Sequence, residues 1–351
     1  MFKFNELRQI HLEITNNCQA SCPMCNRNIN GGLDNPLIKI HNWSLDNFKI
    51  IMSPEVLQQV GNYYFCGNFG DPILNNDLID MCRYSNETAP TVKVTIHTNG
   101  GARNTSWWED LARALPKHHA VIFALDGLAD THHLYRVGTQ FDTVVKNAKA
   151  FIDAGGIAEW TFIRFKHNEH QVEEARALAD KLGFVRFNLK NSSRFIIEPK
   201  VNVLSKTGEV MHSIEPSSDV TMKFIDRKII KAYKQIVDMS TISCKVLNDK
   251  EVYIDAYGDL FPCCWLASVP YSYIQDDDAL AVRTEMLKQH SEMVSKLGNI
   301  NALSRSIKDI IESNEYQTVW NEYWTTNKLI TCARTCGDGN FAKPRDQIVN
   351  E

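Results

Sequence analysis

The chain has 351 residues with a formal net charge of −4, and 44% of these residues are hydrophobic. Its length and composition are those of a globular protein with one large domain and a smaller one, while the slight acidity argues against nucleic-acid binding. No segment approaches the roughly 18 consecutive apolar residues of a membrane span, and residues 1–13 lack the apolar core of a secretory signal. We therefore expect a cytoplasmic protein whose cysteines are reduced.

The first half of the sequence alternates short β-rich runs with longer helical periods. Strands are predicted at 8–15, 62–67, 91–98, 119–126, 158–165 and 184–190. Of the helices between them, one is predicted to begin at a capping box of Ser106 and Glu109, and another to end at Gly183. Strands that alternate with helices predict a parallel sheet with right-handed crossovers, as an open barrel or a doubly wound sheet.

The second half of the sequence is patterned differently. Residues 196–240 have irregular periodicity and are predicted to connect two domains. Residues 241–340 contain five of the ten cysteines and a thin hydrophobic core, which a metal centre would stabilise. The predicted division is therefore a main domain over 1–195, this connection, a small domain over 241–340, and a tail over 341–351.

Three cysteines lie close together directly after the first predicted strand, in the stretch LEITNNCQASCPMC: Cys18, Cys22 and Cys25. Three thiols in one loop cannot all be paired as disulfides. In a C-x3-C-x2-C loop they can instead ligate three irons of a [4Fe–4S] cube and leave the fourth iron open for reaction. A loop that follows a parallel strand also lies where such sheets carry active sites. The alternative from the residues alone is a zinc loop completed by His11 or His41.

This spacing, with a strand before it, resembles the radical S-adenosylmethionine (SAM) superfamily. The resemblance implies an α/β fold, a partial (β/α)6 TIM-like barrel, whose open iron binds the amino and carboxylate groups of SAM. It further implies that reductive cleavage of SAM yields a 5′-deoxyadenosyl radical, which abstracts a hydrogen atom from the substrate.

Turns after the next predicted strands extend the resemblance. In the stretch FGDP, Gly70 and Asp71 stand where the family has a Gly-Gly-Glu-Pro turn, whose backbone is implied to bind the amino end of SAM. In the stretch HTNGG, Asn99 stands where the family has an asparagine that faces the cofactor. Taken one at a time, both stretches are also ordinary turn signals.

A further turn, ALDG, resembles the Ser-x-Asp-Gly stretch of family members that act on peptides and related substrates. Asp126 matches the aspartate of that stretch, whereas Ala124 replaces the usual serine, so a hydroxyl contact to SAM is expected to be missing. Two arginines compete to bind the SAM carboxylate: Arg136 shortly after this turn and Arg164 on the fifth strand. A guanidinium group matches a carboxylate at two points.

A second set of cysteines has the pattern C-x13-G-x4-C and ends in the stretch CARTC: Cys244, Cys263, Cys332 and Cys336. Four such thiolates can hold either a complete [4Fe–4S] cluster or a zinc ion, and the spacing does not choose between them. The set resembles the C-terminal auxiliary-cluster module called SPASM, in its one-cluster form called twitch, which implies one auxiliary [4Fe–4S] cluster. Cys264 is the alternative to Cys263, which fits the spacing better.

The sequence thus predicts a radical SAM enzyme of the oxidoreductase or maturase type. Its auxiliary cluster would help to oxidise or modify a peptide, a protein side chain or a small molecule, and its electron donor would be a reduced flavodoxin or ferredoxin. The alternatives are radical modification of nucleotides or nucleic acids, and a non-catalytic zinc-binding interaction protein. Cys66 and Arg194, which follow the second and sixth strands, are candidates to contact the substrate. Because the chain starts almost at its first strand, an N-terminal peptide-recognition domain is not expected.

Overall fold

The computed structural model describes residues 1–192, 194–195, 199–218, 233–272, 277–338 and 347–348. The strands of the first half pair in parallel, each with the next in the chain: β1 (Gln9–Leu12), β2 (Asn62–Phe65), β3 (Lys93–Thr98), β4 (His119–Ala124), β5 (Ala158–Arg164) and β6 (Arg186–Asn191). The helices of this half are α1 (Leu45–Ile51), α2 (Pro54–Gln59), α3 (Leu78–Thr88), α4 (Thr105–Ala114), α5 (His132–Tyr135), α6 (Phe141–Asp153) and α7 (Val172–Leu182), with 3-10 turns at Phe4–Glu6, Pro72–Leu74 and Glu169–Gln171. The predicted α/β partial barrel is confirmed.

The second half adds a hairpin, several helices and further short strands. In chain order these are β7 (Val201–Leu204), β8 (Val210–Ile214), α8 (Tyr233–Met239), α9 (Lys245–Asp249), β9 (Glu251–Ile254), β10 (Leu260–Phe261), α10 (Cys264–Ala267), a 3-10 turn (Val269–Tyr271), α11 (Asp277–Leu297), α12 (Ile307–Ile311), α13 (Asn314–Thr325), α14 (Ile330–Cys336) and β11 (Gln347–Ile348). Of the predicted connection, residues 196–198 and 219–232 lie outside the described part of the chain.

The second half contributes strands to both edges of the barrel sheet. The strand order is β10-β9-β1-β2-β3-β4-β5-β6-β11. β9 lies parallel to β1, with Gln9 opposite Glu251 and Leu12 opposite Ile254, whereas β10 and β11 pair antiparallel to their neighbours. The sheet therefore continues across the predicted boundary near residue 240, and β9 satisfies the backbone groups that β1 would otherwise expose at an edge.

The two faces of the sheet are chemically different. Alternate residues of a strand face opposite sides, and the side toward the helices is apolar and fully buried, as at Leu12, Phe65 and Ile96. The side that lines the barrel lumen is polar, as at His11 and His97. This division places the histidines of β1 and β3 on the inner face of the sheet, which opens at its carboxyl edge.

Helix boundaries follow the predicted signals in part. The helix that was assigned a capping box at Ser106 begins one residue earlier, because the side chain of Asn104 accepts the Trp107 N–H and serves as the N-cap. The prediction that α7 ends at Gly183 is confirmed, since this glycine has a left-handed φ of 93°.

The hairpin β7–β8 lies in the segment for which only irregular structure was predicted. The Leu204 N–H donates to the Asn30 carbonyl at 2.8 Å, and Lys206 Nζ donates to the Gly32 carbonyl at 2.8 Å. The hairpin therefore covers the segment that follows the three-cysteine loop. No helix in the described part of the chain combines the length and hydrophobicity that a membrane crossing requires.

Candidate active site at the carboxyl edge of the sheet

The three-cysteine loop, residues 18–25, follows β1 at the carboxyl edge of the sheet. Two of its thiols have donors beside them: Asn99 Nδ2 lies 3.5 Å from Cys18 Sγ, and an Arg136 guanidinium nitrogen lies 3.8 Å from Cys22 Sγ. Burial raises the pKa of both thiols, and the nearby Arg136 charge lowers that of Cys22. Donors of this kind stabilise the thiolate form, in which cysteine binds a metal.

Gly70 and Asp71 bring the turn after β2 against this loop. A Cβ atom at residue 70 would lie 1.9 Å from the Thr15 carbonyl oxygen, so only glycine allows this close approach to the end of β1. The Asp71 carboxylate accepts the Thr98 hydroxyl at 2.8 Å and the Asn99 N–H at 2.7 Å. Asp71 therefore fixes the turn to the end of β3, and its charge also acts on the Cys18 thiol.

Asp126 and Arg136 form a buried ion pair after β4. Arg136 Nε donates to one Asp126 oxygen at 2.6 Å, and the other oxygen accepts the Ile163 N–H at 2.5 Å. This carboxylate raises the pKa of Arg136, although burial lowers it. Of the two predicted ligands for the SAM carboxylate, Arg136 is thus held by Asp126 and Cys22, while Arg164 Nε donates to Asn191 at 3.1 Å.

Glu13 is a site residue that the sequence analysis missed. It is only 1% exposed, and one carboxylate oxygen accepts the Phe69 N–H at 2.8 Å and the Gly70 N–H at 3.1 Å. The other oxygen accepts the hydroxyl of Tyr253 on β9. Burial raises the pKa of Glu13 to about 7, against the lowering effect of these hydrogen bonds. The available signal was a carboxylate in the predicted strand, on the same alternating side as His11 and flanked by the apolar Leu12 and Ile14.

The structure brings together the four cysteines of the second set. All four line one cleft, with Trp265 and Trp324 in its wall: Cys244, Cys263, Cys332 and Cys336. The Cys244 and Cys336 thiols are hydrogen-bonded to each other, and Cys332 and Cys336 are one helical turn apart on α14. Burial raises the pKa of Cys263 to about 11, so binding a metal here would displace a proton.

Cys264 faces another part of the molecule than its neighbour Cys263. It does not line the cleft, and the charges that act on its thiol include those of Cys66, Glu251 and Glu13. Its carbonyl accepts a hydrogen bond from Asn68 Nδ2 at 3.2 Å. The adjacent cysteines therefore diverge, one toward the four-cysteine cleft and one toward the barrel.

The two substrate-side candidates lie at the mouth of the lumen. Cys66 follows β2, and its carbonyl accepts a hydrogen bond from His11 Nε2 at 2.5 Å. An Arg194 guanidinium nitrogen donates to the carbonyl of Met24, within the three-cysteine loop, at 2.9 Å. The charge of Arg194 lowers the pKa of the Cys66 thiol, so Cys66 and Arg194 face the same space.

The thiols are not placed as ligands of a single ion. Among residues 1–192, 194–195, 199–218, 233–272, 277–338 and 347–348, no group of three or more His, Cys, Asp or Glu side chains is arranged to hold one metal ion.

Comparison with known proteins identifies the second half. Residues 244–337 match the family model of SPASM, an iron–sulfur cluster-binding domain. This range begins at Cys244 and ends one residue after Cys336, so it contains the whole four-cysteine set. No curated protein matches the sequence.

Solved structures match over most of the chain. SuiB from Streptococcus suis, bound to S-adenosylmethionine, has 14% sequence identity and a TM-score of 0.54, over 93% of this chain and 72% of SuiB. SuiB bound to the precursor peptide SuiA also has a TM-score of 0.54, at 14% identity, over 93% of this chain and 70% of SuiB. The structure of anSMEcpe with bound AdoMet and the Kp18Cys peptide has 14% identity and a TM-score of 0.50, over 93% of this chain and 88% of anSMEcpe. Residues 244–337 thus match an iron–sulfur cluster-binding domain, and the chain shares the fold of these structures, which were solved with bound S-adenosylmethionine or peptide.

Proposed function

We propose that this chain is a radical SAM enzyme of the oxidoreductase or maturase type. Cys18, Cys22 and Cys25 would hold the SAM-binding [4Fe–4S] cluster, and the four-cysteine cleft would hold one auxiliary [4Fe–4S] cluster. The chemistry that the first cluster would supply, when bound and reduced, is one electron that cleaves SAM into methionine and a 5′-deoxyadenosyl radical able to take a hydrogen atom from a substrate carbon. The convergence of the three-cysteine loop, Asp71 and Asn99 at one edge of the sheet is the observation that carries this proposal.

The residues around the three-cysteine loop fit this role. Asn99 and Arg136 place donors beside two thiols, which favours thiolate ligands. Glu13 and Asp71 hold the 69–71 turn from both ends, so its backbone groups are fixed before SAM arrives. A preorganised turn loses little conformational entropy on binding.

The auxiliary cleft also fits a cluster. Thr335 Oγ1 is a buried donor in the wall of this cleft, without a partner among the described residues. Buried donors normally have an acceptor, and the sulfides of a cluster would supply one. Ligation by four cysteines would leave no iron open, which favours electron transfer over direct binding of substrate.

The solved structures support a proposal for the substrate class. SuiB and anSMEcpe have been solved with peptides, which supports a peptide or protein side chain as substrate here, with a small molecule as the alternative. The auxiliary cluster would accept the electron that a net oxidation releases. A reduced flavodoxin or ferredoxin would supply the electron that starts each turnover.

The metal content of the protein tests this proposal. Protein purified without oxygen and reconstituted is expected to contain about eight irons and about eight sulfides per chain, as two four-iron clusters require. Zinc in place of iron at both sites would contradict the proposal and support an interaction protein. About four irons would mean that one of the two cysteine sets holds no cluster.

Exchanging the adjacent cysteines distinguishes their roles. Cys263→Ser is expected to lower the iron content from about eight to about four, because it removes one ligand of the auxiliary cluster. Cys264→Ser is the matched control and is expected to keep about eight irons, because its thiol faces the barrel. Loss of iron in Cys264→Ser but not in Cys263→Ser would reverse the assignment.

A further inference from the structure

The lumen of the barrel is a polar surface that the two proposed cofactor sites do not use. On β6, Leu189 is buried against the helices, so its neighbour Lys190 faces the lumen. On β3, Ile96 is buried in the same way and His97 faces the lumen. The rings of His97 and Tyr64 meet edge to face there, with centroids 5.9 Å apart.

The acidic groups of the lumen are already satisfied within the protein. Glu13 accepts two backbone N–H groups and a tyrosine hydroxyl, and Asp71 accepts the Thr98 hydroxyl and two further backbone N–H groups. Glu251 accepts hydrogen bonds from Tyr64 at 3.1 Å and from Gln9. The hydrogen bonds of these carboxylates are thus made to groups other than Lys190.

Lys190 is a lumen cation without such a partner. Its side chain is partly buried, and its ammonium makes no hydrogen bond or ion pair with any described residue. Its charge acts on two ionisable groups of the lumen, His97 and Cys66. Burial lowers the pKa of His97 to about 3 and raises that of Cys66 to about 12, so both are neutral near pH 7.

Lys190 also lies on the side of the lumen that faces the three-cysteine loop. It is the last but one residue of β6 and so lies at the carboxyl edge of the sheet, and Arg194, which follows this strand, donates to the Met24 carbonyl within that loop at 2.9 Å. A ligand bound to Lys190 would therefore lie next to the place where SAM is proposed to bind.

We propose that Lys190 binds a carboxylate group of the substrate inside the lumen. An unpaired, partly buried ammonium gains a charge-assisted hydrogen bond when a carboxylate arrives, and it fixes the substrate in one orientation. The inference rests on the proposed function, and it narrows the substrate to molecules that carry a carboxylate, such as an acidic side chain or a free chain end.

A carboxylate fits this place better than a phosphate. Phosphate sites combine several N–H donors, from guanidinium groups, helix N-termini or backbone nests. Around Lys190 the lumen offers one ammonium beside a neutral imidazole and a neutral thiol, and the nearby Arg194 guanidinium already donates to the Met24 carbonyl. This donor set matches a single negative charge.

Calorimetry with a matched pair of probes tests the site on the reconstituted enzyme with SAM bound, without oxygen. The probes are glutarate and glutaramide, which have the same carbon skeleton and differ in charge. Wild type is expected to bind the diacid at least about tenfold more tightly than the diamide, because one hydrogen bond to a charged group is involved. Lys190→Met is expected to lose this preference, and Lys190→Arg to keep most of it.

Lys166→Met is the control, since Lys166 is an exposed residue paired with Glu215 at 2.7 Å, and it should bind both probes as wild type does. The proposal is overturned if wild type shows no preference for the diacid, or if Lys190→Met keeps the preference. Iron content and 5′-deoxyadenosine formation are followed on the same samples. A preference for the diacid without 5′-deoxyadenosine formation would retain the lumen site and reject the proposed function. Formation of 5′-deoxyadenosine without a preference for the diacid would reject only the lumen site.

Discussion

Replacing Cys18, Cys22 and Cys25 together by alanine is expected to lower the iron content from about eight to about four per chain and to abolish 5′-deoxyadenosine formation. The three thiols would be the protein ligands of the SAM-binding cluster, and alanine offers none. The second set should be unaffected, because its four cysteines lie in their own cleft among α9, α10 and α14. Iron and sulfide analysis, with chromatography of the products of SAM, measures both effects.

The matched control for this triple variant is Cys82→Ala. Cys82 is completely buried on α3 in the apolar core, away from both cysteine sets. Its replacement removes one sulfur from a packed core, which costs about 1 kcal/mol of stability, and should leave about eight irons in place. A triple variant that still forms 5′-deoxyadenosine would contradict the assignment of the loop.

Gly70→Ala is expected to lower the rate of 5′-deoxyadenosine formation by about 100-fold. The added Cβ would meet the Thr15 carbonyl oxygen at 1.9 Å and the Asn16 Cα at 2.8 Å, and neither atom belongs to a flexible side chain. The turn must therefore move away from β1 and take Asp71 with it. Overpacking of this kind costs about 1–3 kcal/mol, and the upper end of that range corresponds to about 100-fold.

Gly61→Ala is the control for the glycine variant. A Cβ at residue 61 has its nearest neighbour, the Arg8 carbonyl oxygen, at 3.8 Å, which is an ordinary contact. This variant should form 5′-deoxyadenosine at the wild-type rate and keep its thermal stability. Equal rates in the two variants would mean that the close approach of the turn to β1 does not matter for SAM.

The parts of the fold that depend on local pattern were predictable. β2 to β6 each lie within or next to the predicted ranges, because alternating apolar residues and glycine or proline boundaries are local signals. The three-cysteine loop was predictable for the same reason, since its spacing is contained in eight residues. The choice of Cys263 over Cys264 followed from spacing, and the structure places Cys263 with the other three cysteines.

The parts that depend on distant pairing were not predictable from the sequence. β9 is separated from β1 by about 240 residues, and nothing in its short sequence EVYI selects β1 as its neighbour. The role of Glu13 was missed for the same reason, because its partner Tyr253 lies on β9. The cap of α4 was assigned to Ser106 because two residues within one turn, Asn104 and Ser106, are both of a type that caps helices. In the structure the Asn104 side chain is the N-cap.

The pairing of β9 with β1 has a consequence for the site. The Tyr253 hydroxyl reaches Glu13, and Glu13 holds the turn at Phe69 and Gly70. The C-terminal SPASM region therefore supports the backbone that is proposed to bind SAM. We expect the two cluster sites to depend on each other for their geometry as well as for electron transfer.

The formation of 5′-deoxyadenosine from SAM tests the central claim most directly. The assay uses anaerobically reconstituted wild-type protein with dithionite, and the triple cysteine variant beside it. The account predicts a product that requires SAM, dithionite and the three-cysteine loop. Wild-type protein that contains both clusters, binds SAM and still forms no 5′-deoxyadenosine under dithionite would contradict it.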